Sequence, residues 1–136
     1  MIIARALLDT NIISALMRKD PKAFARAESY RGKYPRLTIS LMTHFEVLRG
    51  LLAIAATQKL ANYQLFHARN KVLPMTEVVM TRAADIYADL HRRGQLIPDA
   101  DIIIAATALE YGLVLATNNH ADFSRIPGLT IENWLI

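Results

Sequence analysis

The sequence predicts an α/β fold in which helices cover both faces of a mostly parallel β-sheet. Short apolar segments alternate with longer segments whose apolar residues recur at helical spacing, the order expected of parallel strands joined by helices. The chain has 136 residues, 53% of them hydrophobic and 21% charged, which is typical of a globular protein. Because the chain shows no repeat, low-complexity tract or linker, we expect residues 1–136 to form a single domain.

The first half of the chain is predicted to contain two strands and four helices. Residues 3–8 are typical of a strand, and the apolar stretch 12–17 of a first helix. Asp20 followed by Pro21 indicates a helix N-terminus, and this second helix should continue to about residue 30. The elements expected next are a strand at 37–41, a helix with apolar residues from 45 to 55, and a helix at 59–69.

The second half is predicted to continue the alternation, ending in two more strands. Gly94 and Gly112 are typical helix stops, and the helix after Pro98 is apolar on most sides, which predicts that it is buried. The expected elements are a strand at 71–73, helices at 77–93 and 99–111, and strands at 113–116 and 129–131.

The charge distribution favours a polyanionic partner. The formal net charge is +4, and residues 1–36 hold eight basic but only three acidic residues. A basic region gains affinity for nucleic acid because neutralised phosphates release counterions. The candidate RNA contacts are Arg18, Lys19, Lys22 and Arg26, although a solvated helix face would show the same pattern.

Several function classes are disfavoured by what the sequence does not contain. The absence of cysteine excludes disulfides and thiolate metal sites, and no apolar run reaches the roughly 18 residues that cross a membrane. We therefore expect a cytoplasmic protein. A glycine-rich phosphate loop is also missing, which argues against a nucleotide cofactor.

Three acidic residues fall where a predicted strand meets a predicted helix. Asp9 closes the first strand, Glu46 is expected in the first turn after the second strand, and Asp101 in the first turn of the buried helix. The polar segment 117–119 closes another strand. Because parallel strands end at one edge of the sheet, we expect these side chains to converge there.

Each of these acids also has a purely structural explanation. Asp9, Thr10 or Asn11 could cap the first helix, and Asp99 is expected to cap the buried one. The segment Thr43–Glu46 matches a capping box, in which Ser or Thr is followed three residues later by Glu. Capping alone would require no catalytic function.

Convergence of three carboxylates nevertheless favours a metal site. Such groups repel one another and lose hydration unless a cation joins them. Carboxylate oxygens without Cys select Mg²⁺ or Mn²⁺, and none of His44, His67, His91 and His120 shows metal-ligand spacing. Such an ion can bind a phosphate and lower the pKa of an attacking water, so the sequence predicts a metal-dependent nuclease.

Four segments together resemble the PIN-domain nucleases. Leu7–Asn11 resembles their opening strand with Asp-Thr-Asn, and Phe45–Gly50 their Glu-Leu-x-x-Gly helix. Asp101–Leu109 resembles their third-acid helix, and residues 116–134 are similar to the C-terminal signature of VapC-type toxins. The resemblance spans nearly the whole chain in order.

This resemblance implies a PIN-like three-layer α/β/α sandwich and a toxin ribonuclease, normally homodimeric, paired with a cognate antitoxin. It implies one or two Mg²⁺ or Mn²⁺ ions per site, with Asp9 and Asp101 as the main ligands. Glu46 would act as the third acid, through the ion, its water, or both. Asn119 stands where many family members have a fourth acid, and is included among the expected catalytic residues.

Other polar residues are expected to support the site. Thr10, Asn11 and Thr117 could orient Asp9 or a bound water. Between the two neighbouring acids, we assign the ligand role to Asp101 and not to Asp99, since half a helical turn separates them. Asp122 could either flank the site or belong to a turn.

Two other functions stay open at this point. One is a non-catalytic PIN-like module that binds RNA or a protein, although phosphate binding alone would favour basic residues at this edge. The other is a Rossmann-like phosphatase, which would carry Asp-x-Asp where this chain has Asp9 and Asn11.

Overall fold

The computed structural model describes residues 2–136, which form seven helices and five short strands. In chain order they are β1 (Ala6–Leu8), α1 (Thr10–Met17), α2 (Pro21–Arg31), β2 (Thr38–Ser40), α3 (Leu41–Ala53), α4 (Thr57–Arg69), β3 (Lys71–Leu73), α5 (Glu77–Arg92), α6 (Asp99–Glu110), β4 (Val114–Ala116), α7 (His120–Phe123) and β5 (Ile131–Glu132).

Every strand pairing is parallel, as the sequence predicts. The strands β1, β4 and β5 form one sheet in the order β1-β4-β5, and β2 pairs with β3 in a second sheet. Strand β1 packs beside β2, which places the two small sheets next to each other. None of the helices formed by residues 2–136 is long and apolar enough to cross a membrane.

Alternation along the strands builds a core on each side of the sheet. Leu7 and Leu115 belong to a buried cluster with α5 and α6, whereas Ala6, Leu8 and Ala116 belong to another cluster with residues of α1, α2, α3 and α4. Successive strand residues point to opposite faces, so both faces need a helical cover. The predicted three-layer α/β/α fold is confirmed.

The predicted start of one helix and the predicted ends of two others are confirmed. The Asp20 side chain accepts hydrogen bonds from the backbone N–H of Lys22 at 3.0 Å and of Ala23 at 3.1 Å, directly before α2. Gly94 and Gly112 have φ of +66° and +65°, the left-handed conformation that ends many helices. Proline and glycine act here through their own backbone geometry, so the sequence is sufficient to predict where these helices begin or end.

Two of the three predicted caps around the candidate acids are wrong, and the third, Asp9 as the cap of α1, is confirmed. Helix α3 begins at Leu41, earlier than expected, and the hydroxyl of Ser40 accepts its capping bond from the Thr43 N–H at 3.0 Å. Thr43 and Glu46 therefore do not form a capping box, and Glu46 lies in the second turn. In α6 the N-cap is Pro98, whose fixed φ leads straight into the helix, so Asp99 is its first residue and not its cap.

Several element boundaries also differ from the expectation. Helix α1 begins at Thr10 and not at residue 12, and α4 begins at Thr57 and not at residue 59. The strand expected over 3–8 covers only Ala6–Leu8, since its partner β4 offers only three residues for pairing, and β5 is shifted to Ile131–Glu132. Helix α7 lies in a segment for which no helix is predicted.

Candidate acidic active site

Asp9 is fixed at the junction of β1 and α1, and its side chain is 4% exposed. One carboxylate oxygen accepts a hydrogen bond from the Thr10 N–H at 2.7 Å and so caps α1. The other oxygen accepts bonds from the Thr117 hydroxyl at 2.7 Å and from the Asn11 amide at 3.2 Å. Asp9 therefore caps a helix and also belongs to a buried polar network.

This network ties the end of β4 to the end of β1. The Asn11 amide lies 3.3 Å from the Thr117 hydroxyl oxygen, and its carbonyl accepts a bond from the Asn118 N–H at 3.1 Å. The Thr117 hydroxyl also accepts a bond from the Asn119 N–H at 3.0 Å. The structure thus brings Asn11 and Thr117 to Asp9, in the supporting positions expected for them.

Glu46 reaches the same edge of the sheet from α3. Its carboxylate accepts a hydrogen bond from the Thr10 hydroxyl at 2.7 Å. Its other oxygen lies 3.7 Å from the Arg49 guanidinium, one turn further along the helix. Thr10, the first residue of α1, therefore joins the acid of α3 to the junction that holds Asp9.

Asp101 lies in the first turn of α6, and its charge is the least compensated of the group. Burial raises the pKa of Asp101 to about 6, and the charges of Asp9, Glu46 and Asp122 act in the same direction. Burial also raises the pKa of Asp9, although hydrogen bonds from Thr117 and Thr10 oppose that shift. The four carboxylates therefore share one region of negative potential.

Asp122 joins the site, and Asn119 contacts it. The Asn119 amide donates to the Asp122 carboxylate at 3.1 Å, while its carbonyl accepts from the Asp122 N–H at 3.3 Å and caps α7. The Asp122 carboxylate also lies 3.7 Å from Arg125. Asn-x-x-Asp is a capping pattern that could have indicated α7. The sequence leaves open whether Asp122 flanks the site or belongs to a turn; in the structure its charge acts with burial to raise the pKa of Asp101.

Within residues 2–136, no hydrogen bond or ion pair joins the predicted basic residues to the acids of the site. Arg18 and Lys19 follow the C-terminal end of α1, about 12 Å along the helix from Asp9 at its other end. Lys22 lies in the exposed first turn of α2, and Arg26 pairs with Glu132 at 3.4 Å. His44 points away from the acids, since its ring is 2.8 Å from the Tyr63 hydroxyl and packs beside His67.

The acidic site suits a hydrated ion better than an ion enclosed by protein ligands. Among residues 2–136, no three His, Asp or Glu side chains are arranged so that they could hold a metal ion. Mg²⁺ commonly uses only one or two carboxylates and keeps several of its waters. Burial and the charges of Asp9, Glu46 and Asp122 raise the pKa of Asp101, and a divalent cation beside Asp101 would offset both effects, so the donor set fits Mg²⁺ or Mn²⁺.

Comparison with known proteins identifies the family. The family model described as PIN domain matches residues 6–129. The chain belongs to the PIN-domain family. This PIN domain is 33% identical over 129 residues to the tRNA(fMet)-specific endonuclease VapC of Salmonella typhimurium, covering 94% of the chain and 96% of the relative. It is 32% identical to ribonuclease VapC1 of Haemophilus influenzae, with the same two coverages.

Solved structures agree with the sequence relatives. VapBC2 from Rickettsia felis, bound to a DNA fragment from its promoter, matches with a TM-score of 0.85 and 25% identity over 95% of this chain and 98% of that chain. DNA-bound VapBC from Salmonella typhimurium matches with a TM-score of 0.84 and 32% identity, over 97% and 99%. The resemblance to VapC-type PIN-domain ribonucleases is confirmed, and with it the nuclease class of this chain.

Proposed function

We propose that this PIN domain is a divalent-metal-dependent endoribonuclease that acts in the cytoplasm as the toxin of a toxin–antitoxin pair. The observation that carries the proposal is the hydrogen-bond network at the end of β1, in which Thr117 binds Asp9 and Thr10 binds Glu46. Burial and the charges of Asp9, Glu46 and Asp122 also raise the pKa of Asp101. Relatives that share about a third of its residues are named as ribonucleases or endonucleases. A phosphatase and a non-catalytic module have no observation of this kind in their favour.

Asp9 and Asp101 are the residues that we propose to hold Mg²⁺ or Mn²⁺, with Glu46 close to the ion or its water. When bound, the ion would neutralise charge that develops on the phosphate and lower the pKa of an attacking water. Thr117 and Thr10 donate to the Asp9 carboxylate and favour its charged form. Asn119 stands where many family members have a fourth acid. In this chain, Asp122, which accepts a hydrogen bond from Asn119, supplies the fourth negative charge instead.

The proposed antitoxin partner is supported by the relatives and by one surface of the chain. The similar chains were solved as VapBC, a toxin–antitoxin pair. A groove of about 430 Å³ between α1, α2 and α4 has apolar Ile13, Leu16 and Phe66 in its lining and basic Lys19 and Lys59 beside them. That surface suits an amphipathic acidic segment. The homodimer implied by the family remains part of this proposal.

Metal removal tests the proposed activity. We expect the purified chain to cleave RNA in Mg²⁺, to lose cleavage in excess EDTA, and to regain it when Mg²⁺ or Mn²⁺ is restored. Sites would be mapped on total RNA with and without Mg²⁺. Cleavage that continues undiminished in excess chelator would disprove the metal mechanism, and no cleavage in any metal would disprove the ribonuclease.

A further inference from the structure

An exposed aromatic ring and an exposed guanidinium lie together beside Glu46 on α3. The Phe45 side chain is 52% exposed although it directly precedes a site acid. The Arg49 guanidinium lies 5.2 Å from the centroid of the Phe45 ring, within the range of a cation–π contact. Neither residue belongs to a buried cluster of the described residues, so both side chains can contact a ligand from solvent.

Arg49 is held far less firmly than the other arginine beside the site. Arg125 lies at the same 3.7 Å from Asp122, but it also donates to the main-chain oxygens of Gln95 at 3.4 Å and Leu96 at 3.2 Å. Arg49 lies 3.7 Å from Glu46, too far for a hydrogen bond, and its side chain is 59% exposed. Its guanidinium is therefore available to an anion that approaches the acids.

The surface around this pair is open. A Cβ atom added at Gly50, the residue after Arg49, would meet nothing within 4 Å. An RNA strand could reach Phe45 and Arg49 without displacing any part of α3. Without a bound cation the acids repel phosphate, so affinity for RNA close to Asp101 then has to come from neighbouring groups.

We propose that Phe45 and Arg49 bind one unpaired nucleotide of the RNA, with its base stacked on the Phe45 ring and its phosphate paired with Arg49. Aromatic side chains bind bases by stacking, and only a base outside a duplex offers its face to a protein surface. An arginine beside the ring supplies the charge that a phosphate requires. This inference rests on the proposed ribonuclease function and assigns two residues outside the acidic cluster to substrate binding.

A second copy of the chain or a partner protein is the competing occupant of this face. The same stripe of α3 continues to Leu52, which is 58% exposed. Charge distinguishes the two occupants, since Arg49 lies between Phe45 and Glu46, where a phosphate is attracted but an apolar partner would have to desolvate a guanidinium. Leu52 also offers a control that resembles Phe45 in exposure but lies further from the acids.

The test measures RNA binding without cleavage, in the Asp101→Asn background with EDTA present. The probe is a short single-stranded oligoribonucleotide with one 2-aminopurine, whose fluorescence falls when the base stacks. We expect Phe45→Ala to weaken binding by roughly 5- to 100-fold and to abolish the quenching, and Phe45→Trp to restore both. Arg49→Gln should weaken binding and lower the slope of log affinity against log salt by about one unit.

Leu52→Ala is the apolar control, and Arg92→Gln, at the exposed C-terminal end of α5, is the charge control. Both should bind the probe like the parent, and a duplex of the same sequence should bind without dependence on Phe45. Equal affinity of Phe45→Ala and the parent would overturn the proposal. So would a loss of self-association in both Phe45→Ala and Leu52→Ala, measured by light scattering, with RNA binding unchanged. Cleavage by the parent in Mg²⁺ is scored separately, so a failed ribonuclease remains distinguishable from a failed nucleotide contact.

Discussion

The two oxygens of the Asp9 carboxylate have different partners. One accepts from the Thr10 N–H at the start of α1, and the other from the Thr117 hydroxyl after β4. Asp101 has no such compensation among the causes of its shifted pKa, all of which raise it. At the scale of single residues, Asp9 is thus a well-held carboxylate, and Asp101 is the one that gains most from a cation.

Asp101→Asn separates a catalytic from a structural role. Asparagine has nearly the same volume but cannot neutralise a metal ion, so we expect ribonuclease activity to fall by roughly 10²- to 10³-fold. The protein should fold normally, as measured by circular dichroism. Asp99→Asn, two residues earlier on the same helix, is the matched control and should stay active. If Asp99→Asn is inactive and Asp101→Asn cleaves RNA like the parent, the ligand has been assigned to the wrong acid.

At the scale of elements, the direct passage from β2 into α3 determines where Glu46 lies. Ser40 is the last residue of β2 and also the N-cap of α3, so no loop separates the strand from the helix. Glu46 therefore projects from the second helical turn, where the Thr10 hydroxyl of α1 reaches it. The contact between α1 and α3 positions Glu46. The capping box suggested by the spacing of Thr43 and Glu46 does not.

Ser40→Ala should lower the free energy of unfolding by about 1 kcal/mol, because it removes the buried hydroxyl that caps α3. Chemical denaturation measures this change. Thr76→Ala removes the equivalent cap of α5, where the Thr76 hydroxyl accepts from the Val79 N–H at 3.2 Å, and should cost a similar amount without affecting activity. Full stability of Ser40→Ala would contradict the assigned cap.

At the scale of the whole molecule, the parallel arrangement gathers negative charge at one edge of a chain whose net charge is +4. Asp9, Glu46, Asp101 and Asp122 come from four separate segments, and their mutual effect on the pKa of Asp101 exists only in the folded state. Without a metal ion, bringing these acids together therefore lowers the stability of the folded protein. Metal binding would relieve that repulsion and so stabilise the native state.

The stability of the metal-free protein should consequently fall as pH rises from about 4 to about 6. The folded protein binds the Asp101 proton more tightly than the unfolded chain, since the pKa is raised from 3.8 to about 6. The loss of folding stability caused by ionised Asp101 is absent below the unfolded pKa of 3.8 and complete above the folded pKa of about 6. Because Asp101 is partly exposed, solvent screening should limit the effect to roughly 1 kcal/mol.

Thermal unfolding in EDTA measures this effect as a difference from Asp101→Asn. The variant should melt about 2–4 °C above the parent at pH 7 and at the same temperature near pH 4. Added Mg²⁺ should raise the melting temperature of the parent more than that of the variant. If the variant and the parent differ in melting temperature by the same amount at both pH values, the raised pKa of Asp101 is excluded as the cause of that difference.

RNA binding by the basic N-terminal region remains a prediction at the same scale. If Lys22 contacts RNA, Lys22→Ala should lower the slope of log affinity against log salt by roughly one unit at most. Arg26→Ala should change it less, because Arg26 already pairs with Glu132. Filter binding at several salt concentrations would measure both slopes, and an affinity independent of salt would indicate a protein-binding surface instead.

The sequence by itself determined the alternation of strands and helices, the N-terminus of α2 and the ends of α5 and α6. Each depends on residues whose backbone preference acts locally, such as the Asp20–Pro21 pair or glycine in the left-handed conformation. Parallel strands place their ends at one edge, so the sequence also predicted that Asp9, Glu46 and Asp101 would converge. In the folded chain, burial and the charges of Asp9 and Glu46 raise the pKa of Asp101, and the shared metal-binding role of the three acids remains a prediction.

Only the tertiary structure decided which groups meet at that edge. Asp122 acts on Asp101 from a short helix after β4, while Thr10 binds Glu46 across 36 residues of chain. The predicted capping box failed because Ser40 at the end of β2 had already capped α3. Burial and charge act through space, and the spacing of residues along the chain does not report distances between segments that only folding brings together.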